Sequence, residues 1–113
     1  MSHIKVTPSD KTVEVKFAGE TIAKSSRALE LKEGSYPAAY YLPLEDVNAD
    51  AIESTNHQTT CPHKGKASYW TLKAGGQTAE NAMWGYLNPK DDVASIKDHV
   101  AFYPSKVSIK VGD

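Results

Sequence analysis

The sequence is short of features that mark several large classes of protein. It has one cysteine among 113 residues, so no disulfide can form within the chain, as is usual in a reducing compartment. Its 14 acidic and 13 basic residues nearly cancel, giving a formal net charge of −1. Because no basic excess is present to neutralise a phosphate backbone, nucleic acid is not an expected partner.

Long apolar runs are also missing. No segment approaches the roughly 20 apolar residues that a membrane-spanning helix needs. Residues 1–6 contain no hydrophobic stretch of signal-peptide length. No basic amphipathic face indicates binding to a membrane surface. We therefore expect a cytoplasmic protein without a membrane partner, and the sequence gives no signature of its oligomeric state.

What the chain does have is enough for one folded domain. It is 40% hydrophobic and 24% charged over 113 residues. These values are typical of a globular domain with a single core. Since neither an internal repeat nor a linker-like tract interrupts the chain, we predict one domain over residues 1–113.

Alternation of apolar and polar residues, which is typical of half-buried β-strands, dominates the sequence. It is clearest over 12–17, 66–72 and 107–111, and the pair Gly75-Gly76 predicts a hairpin turn. One short helix is predicted over 43–54, because proline and acidic residues favour a helix N-terminus. The pattern predicts a mainly β protein of seven or eight strands in antiparallel sheets folded over a shared core, with that one short helix.

The most unusual stretch is Thr59-Thr60-Cys61-Pro62-His63-Lys64-Gly65. Cys61 and His63 are two residues apart, so an extended backbone would direct both side chains to the same side. A nearby imidazole, or the Lys64 ammonium, can lower the pKa of the thiol and raise the thiolate fraction. One hypothesis is therefore an enzyme in which Cys61 is the nucleophile and His63 is its base.

A metal site is the weaker interpretation of the same stretch. Cys61, His57 and His63 would supply three of the four ligands that structural zinc requires. Because no second ligand pair completes the set, we expect no metal and no other cofactor.

A binding pocket is the third interpretation. Arg27 is the single arginine of the chain, and a guanidinium suits planar, two-pronged contact with a carboxylate or phosphate, whether on a ligand or on a structural Glu. Aromatic side chains on neighbouring strands can line a cavity, although packing in a β core is their commoner role. The candidate ligand-binding residues are Arg27, Tyr41, Cys61, His63, Lys64, Tyr69, Trp70, Trp84 and Tyr86.

Several segments, in order, resemble a widespread family of small proteins known as domain of unknown function 427. The most specific is Thr60-Cys61-Pro62-His63-Lys64-Gly65-Lys66-Ala67-Ser68-Tyr69-Trp70, and segments within 22–47 and 82–103 add weaker matches. The resemblance implies a compact, tent-like pair of small β-sheets, here in a metal-free version because paired Cys-x-x-Cys ligands are lacking. Members are sometimes labelled nucleotidyltransferase-like, but this chain has no glycine-rich phosphate loop.

The leading functional hypothesis is a small-molecule binding module with an aromatic and cationic pocket around Cys61, whose ligand is small and either anionic or aromatic. The first alternative is the enzyme that uses Cys61 as nucleophile. The second is a protein-interaction domain that pairs through an exposed strand edge, near Pro37 or at the C-terminal strand.

Overall fold

The computed structural model describes residues 4–112, and strands make up most of this range. The helical pieces in it are short 3-10 turns at Leu44–Asp46, Ala49–Ala51 and Asp91–Ile96, and none is long enough to cross a bilayer. The strands are β1 (Ile4–Pro8), β2 (Val13–Phe17), β3 (Glu20–Ser25), β4 (Leu29–Glu33), β5 (Ala39–Pro43), β6 (Ile52–Cys61), β7 (Gly65–Ala74), β8 (Gln77–Tyr86), β9 (His99–Phe102) and β10 (Ser108–Val111).

The strands form two antiparallel sheets. The large sheet has seven strands in the order β1-β4-β5-β9-β8-β7-β6, and the small sheet has three in the order β10-β2-β3. Neighbouring strands in both sheets run antiparallel. The predicted mainly β fold of two antiparallel sheets is thus confirmed, although the large sheet is bigger than expected.

The first hydrophobic core lies between the two sheets. The alternating β2 directs Val13 and Val15, both 0% exposed, into the same cluster as Trp70, Leu72 and Met83 of the large sheet. Each such side chain contributes about 1.5–3 kcal/mol when fully buried. This is the shared core that the alternation predicts.

A second hydrophobic cluster covers the opposite face of the large sheet. Tyr69 on β7 lies opposite Trp84 on β8. Because successive strand residues point to opposite faces, Tyr69 points away from the core that holds Trp70. Val93 and Ile96, from the 3-10 turn at Asp91–Ile96, cover part of this cluster. The large sheet therefore carries a buried cluster on each face, whereas the sequence predicted one core.

The helix predicted over 43–54 is wrong. Val47 forms a β-bridge with Ala23, which holds the chain against β3 and prevents continuous winding. The Asn48 side chain accepts a hydrogen bond from the Asp50 backbone at 3.0 Å, which closes a short turn. Ile52 then begins β6. The strand count was also too low, because β1 and β6 were not recognised.

The sheet edges differ from the expected ones. β5 lies inside the large sheet between β4 and β9, so Pro37 does not stand next to an edge. β10 does form an edge of the small sheet, as expected for the C-terminal strand. The large sheet ends at β1 and β6.

Gly85 on β8 provides a test of the close β8–β9 contact. A Cβ built at Gly85 would lie 2.6 Å from the His99 carbonyl oxygen and 2.8 Å from Val100 Cγ1. Because the His99 carbonyl belongs to the backbone and cannot move aside without strain, Gly85→Ala should lower the free energy of unfolding by about 1–3 kcal/mol. Denaturant unfolding followed by circular dichroism measures the loss.

Ser68→Ala is the matched control, because Ser68 lies directly opposite Gly85 on β7 and is only half-buried. Its effect should stay within about 0.5 kcal/mol. Equal stabilities for the two variants would show that β8 and β9 are not as close as described.

Candidate functional site

A pocket of about 290 Å³ opens on the face of the large sheet that carries the second cluster. Residues of strands β4, β5, β7 and β8 line it, together with the turn between β4 and β5. Its lining is unusually aromatic: it includes Trp84 and five of the six tyrosines of the chain. Those tyrosines are Tyr36, Tyr41, Tyr69, Tyr86 and Tyr103.

The rings hold one another in place. Trp84 meets Tyr41 edge to face, with centroids 6.2 Å apart and planes at 86°. The Trp84 ring also meets the Tyr103 ring, with centroids 4.5 Å apart. Tyr86 lies 6.4 Å from Tyr41. Such arrangements are favourable contacts between aromatic rings, so the walls of the pocket are preformed.

Lys64 brings a positive charge to this aromatic site. Its side chain is only 11% exposed, and its Nζ donates a hydrogen bond to Glu33 Oε1 at 3.1 Å. The same Nζ lies 5.9 Å from the centre of the Tyr86 ring, within the range of a cation–π contact. The predicted cation of the Cys61 stretch therefore lines the pocket.

The connection between β6 and β7 explains why Lys64 points inward. Gly65 adopts a φ of +115°, which favours glycine. The Lys64 carbonyl accepts a hydrogen bond from the Lys90 backbone at 2.9 Å, and Lys90 Nζ donates to the Pro62 carbonyl at 2.7 Å. These contacts fix the backbone on both sides of Lys64.

The electrostatic balance keeps Lys64 charged. Burial by itself lowers the pKa of the Lys64 ammonium. The hydrogen bond to Glu33 and the neighbouring Tyr41 and Cys61 act in the opposite direction and prevail, so the pKa of Lys64 is raised above its ordinary value. Lys64 is therefore a cation at neutral pH.

Three tyrosine hydroxyls around this cation stay protonated and therefore neutral. Burial raises the pKa of Tyr41 and of Tyr86, and burial together with the neighbouring Tyr69 raises the pKa of Tyr103 to about 12. The Tyr41 hydroxyl accepts a hydrogen bond from Trp84 Nε1 at 3.3 Å, which leaves its own proton available.

Tyr86 is the most informative of these residues. It is 4% exposed, and its hydroxyl has no hydrogen-bond partner anywhere in residues 4–112. Every fully buried side-chain nitrogen or oxygen in that range has a hydrogen-bond partner. The unpartnered Tyr86 hydroxyl is therefore not fully buried, and it opens to the pocket that Tyr86 lines. The site thus combines one ammonium with phenolic donors.

Cys61 lies beside the pocket. It is half-buried and packs against the aromatic cluster that contains Tyr41 and Tyr86. His63 is exposed and does not line the pocket, and the two predicted catalytic residues share no hydrogen bond.

Arg27 and Trp70 lie elsewhere. Trp70 is buried in the core between the sheets. Arg27 pairs with Glu45 at 2.6 Å and with Asp46 at 3.1 Å, and Asp46 also accepts the Ser25 hydroxyl at 2.5 Å. Arg27 therefore meets structural carboxylates, at the border of a separate depression of about 560 Å³.

Of the nine predicted binding residues, the pocket brings together five, which are Tyr41, Lys64, Tyr69, Trp84 and Tyr86. Sequence reasoning missed Glu33, Tyr36 and Tyr103. Glu33 escaped prediction because nothing in the sequence connects it with a lysine 31 positions later.

The three-ligand metal set is not assembled. Within residues 4–112 there is no group of three or more His, Cys, Asp or Glu side chains that could hold a metal ion. His57 instead meets the Tyr69 ring edge-on, with centroids 4.5 Å apart.

The raised pKa values predict that the folded protein loses stability at alkaline pH. In the unfolded chain Tyr41 and Tyr86 have the ordinary pKa of 10.0. In the folded protein the pKa of both is raised, so they keep their protons up to a higher pH. The stability that they contribute is therefore complete below pH 10 and is lost above it, and the raised pKa of Lys64 acts in the same direction above 10.5. The free energy of unfolding should stay level from about pH 7 to 9 and fall above pH 10.

Denaturant unfolding at several pH values measures this dependence. Tyr86→Phe should make the alkaline decrease shallower, because the group with the strongly raised pKa is gone. A stability that falls already between pH 7 and 9 would contradict the assignment of these groups.

The sequence matches a protein family from residue 5 to residue 113, a range that includes every residue that lines the pocket and both sheets except the first residue of β1. No curated protein matches the chain. The family is the one that the stretch from Thr60 to Trp70 resembles, so that resemblance is confirmed. The chain belongs to the family described as a domain of unknown function (DUF427).

Proposed function

We propose that the protein is a small-molecule binding module whose ligand occupies the aromatic pocket at Lys64. The observation that carries the proposal is a charged lysine held 11% exposed at the wall of a preformed cavity. Burying a charge is costly unless it is paired and hydrogen-bonded. A lysine needed only for solubility would extend into water, whereas this one is fixed at a pocket.

The dimensions of the pocket limit the ligand. A water molecule in the liquid takes about 30 Å³, so 290 Å³ corresponds to about ten waters. This is near the lower end of the range for small-molecule sites, which are mostly apolar with a few placed polar groups. A molecule with one aromatic ring and a short polar substituent fits this volume.

The arrangement favours binding over nucleophilic catalysis. A cysteine nucleophile needs a base within hydrogen-bond reach. In the described part of the chain, Cys61 has no such partner, and the imidazole of His63 is exposed to solvent. We assign Cys61 the role of packing behind the aromatic wall.

Filling the pocket tests the binding proposal. Ala39 lines the pocket, so Ala39→Leu should weaken binding of one-ring probes such as phenol, benzamide and benzoate by about tenfold or more. The probes are titrated into labelled protein, and amide chemical-shift changes of Tyr69, Trp84 and Tyr86 are followed by NMR.

Ala38→Leu is the matched control, since Ala38 is also half-buried but does not line the pocket. It should leave probe binding unchanged. The proposal fails if the probes do not bind, if Ala39→Leu has no effect, or if the shifts occur only around Arg27.

Thiol labelling separates this proposal from the enzyme alternative. Because Cys61 is half-buried, iodoacetamide at neutral pH should modify it several-fold more slowly in the folded protein than in the unfolded chain. Mass spectrometry follows the reaction with and without guanidinium. Faster modification in the folded state would instead identify Cys61 as an activated nucleophile.

A further inference from the structure

We infer that the ligand of this pocket is a small aromatic monocarboxylate, whose carboxylate takes the place of Glu33 on Lys64 and accepts hydrogen bonds from the Tyr41 and Tyr86 hydroxyls. This inference rests on the proposed binding function and specifies the class of ligand.

The polar groups of the pocket are mainly donors. Lys64 has three N–H bonds, of which Glu33 engages one. The Tyr86 hydroxyl opens to the pocket and has no partner in residues 4–112, and the Tyr41 hydroxyl has a proton to give. All three groups are protonated at neutral pH. A ligand complementary to them has to present acceptor atoms, and a carboxylate offers two oxygens with about four acceptor positions.

Glu33 already shows where a carboxylate binds. It ends β4 and is followed by the Gly34 turn. Its side chain is 31% exposed, against 11% for Lys64. The Glu33 carboxylate can therefore turn towards solvent while Lys64 stays in place, because the backbone around Lys64 is fixed by contacts with Lys90.

Charge balance in the pocket favours a ligand with a single negative charge. Across residues 4–112, Lys64 is the one cationic side chain that lines the pocket. Exchange of the Glu33 carboxylate for a ligand carboxylate leaves one buried cation with one anion. A phosphate dianion would bring a second negative charge without a partner, which is costly at a buried site.

The aromatic walls of the pocket favour a ligand with a flat, apolar ring system. Trp84 and Tyr103 lie with centroids 4.5 Å apart and planes tilted by 37°, and Tyr69 faces Trp84 across β7 and β8. Aromatic rings favour offset-stacked or edge-on partners, and a ligand ring can meet either geometry here. The volume of 290 Å³ limits the body to about one or two fused rings.

Three probes that share one ring test the inference in the full chain at pH 7.5. These are benzoate, the neutral benzamide and the cationic benzylamine, and binding is measured by NMR titration. Benzoate should bind about tenfold or more tightly than benzamide, because a hydrogen bond to a charged acceptor is stronger than one between neutral groups. Benzylamine should bind most weakly.

Variants of the ion pair identify the groups responsible. Lys64→Met should abolish the preference for benzoate over benzamide, while Lys66→Met, at an exposed lysine two residues away, should leave it intact. Glu33→Gln should tighten benzoate binding several-fold, because the internal competitor for Lys64 is removed. Tyr86→Phe should weaken benzoate more than benzamide.

The outcomes distinguish the inference from the proposed function. Benzamide or benzylamine binding in the pocket as tightly as benzoate would overturn the inference and leave the binding function standing. Absence of binding by all three probes would overturn both. If Lys64→Met fails to fold, two results still decide the inference: the ratio of benzoate to benzamide affinity in the wild type, and the direction in which Glu33→Gln changes benzoate affinity. Weaker benzoate binding in Glu33→Gln would count against the inference.

Discussion

Lys64 retains its positive charge although only 11% of its side chain meets solvent, and Glu33 at 3.1 Å is the contact that makes this possible. Desolvation alone would favour the neutral amine. The ion pair also joins the β6–β7 connection to the end of β4, two regions that are far apart in the large sheet. It therefore links the position of a buried cation to the shape of the pocket beside it. A pair of this kind is weak support for stability by itself, since an apolar replacement is often equally stable.

The pocket exists because the large sheet is covered unevenly on its second face. The small sheet covers the first face, and the turn at Asp91–Ile96 covers only part of the second. Tyrosines and Trp84 make up most of the lining of the remaining area, beside a few aliphatic side chains such as Leu31 and Ala39. Tyrosine provides a large apolar ring with a polar end. Such residues suit a partly buried surface that also has to offer hydrogen bonds to a ligand.

Much of the fold could be predicted from the sequence, because half-buried strands repeat with a period of two. The turn at Gly75-Gly76 sets the pairing of Ala74 with Gln77, but Tyr69 lies opposite Trp84 because the register shifts between Trp70 and Leu72, which the alternation does not reveal. β6 was missed because Ile52–Cys61 lies at a sheet edge and is mostly exposed, so it shows no alternation. The false helix arose because Glu45 and Asp46 resemble a helix N-terminus, whereas they bind Arg27. Glu33 and Tyr103 could not be placed, since their approach to Lys64 and Trp84 depends on the order of strands in the folded sheet.

A crystal structure of the protein soaked with benzoate would show which anion pairs with Lys64. The carboxylate should lie within hydrogen-bond distance of Lys64 Nζ, with the ring against Trp84 and Tyr103 and the Glu33 side chain turned away from the lysine. A ring bound in the depression beside Arg27, or in the pocket with an intact Lys64–Glu33 pair and the carboxylate in solvent, would rule out this mode of binding.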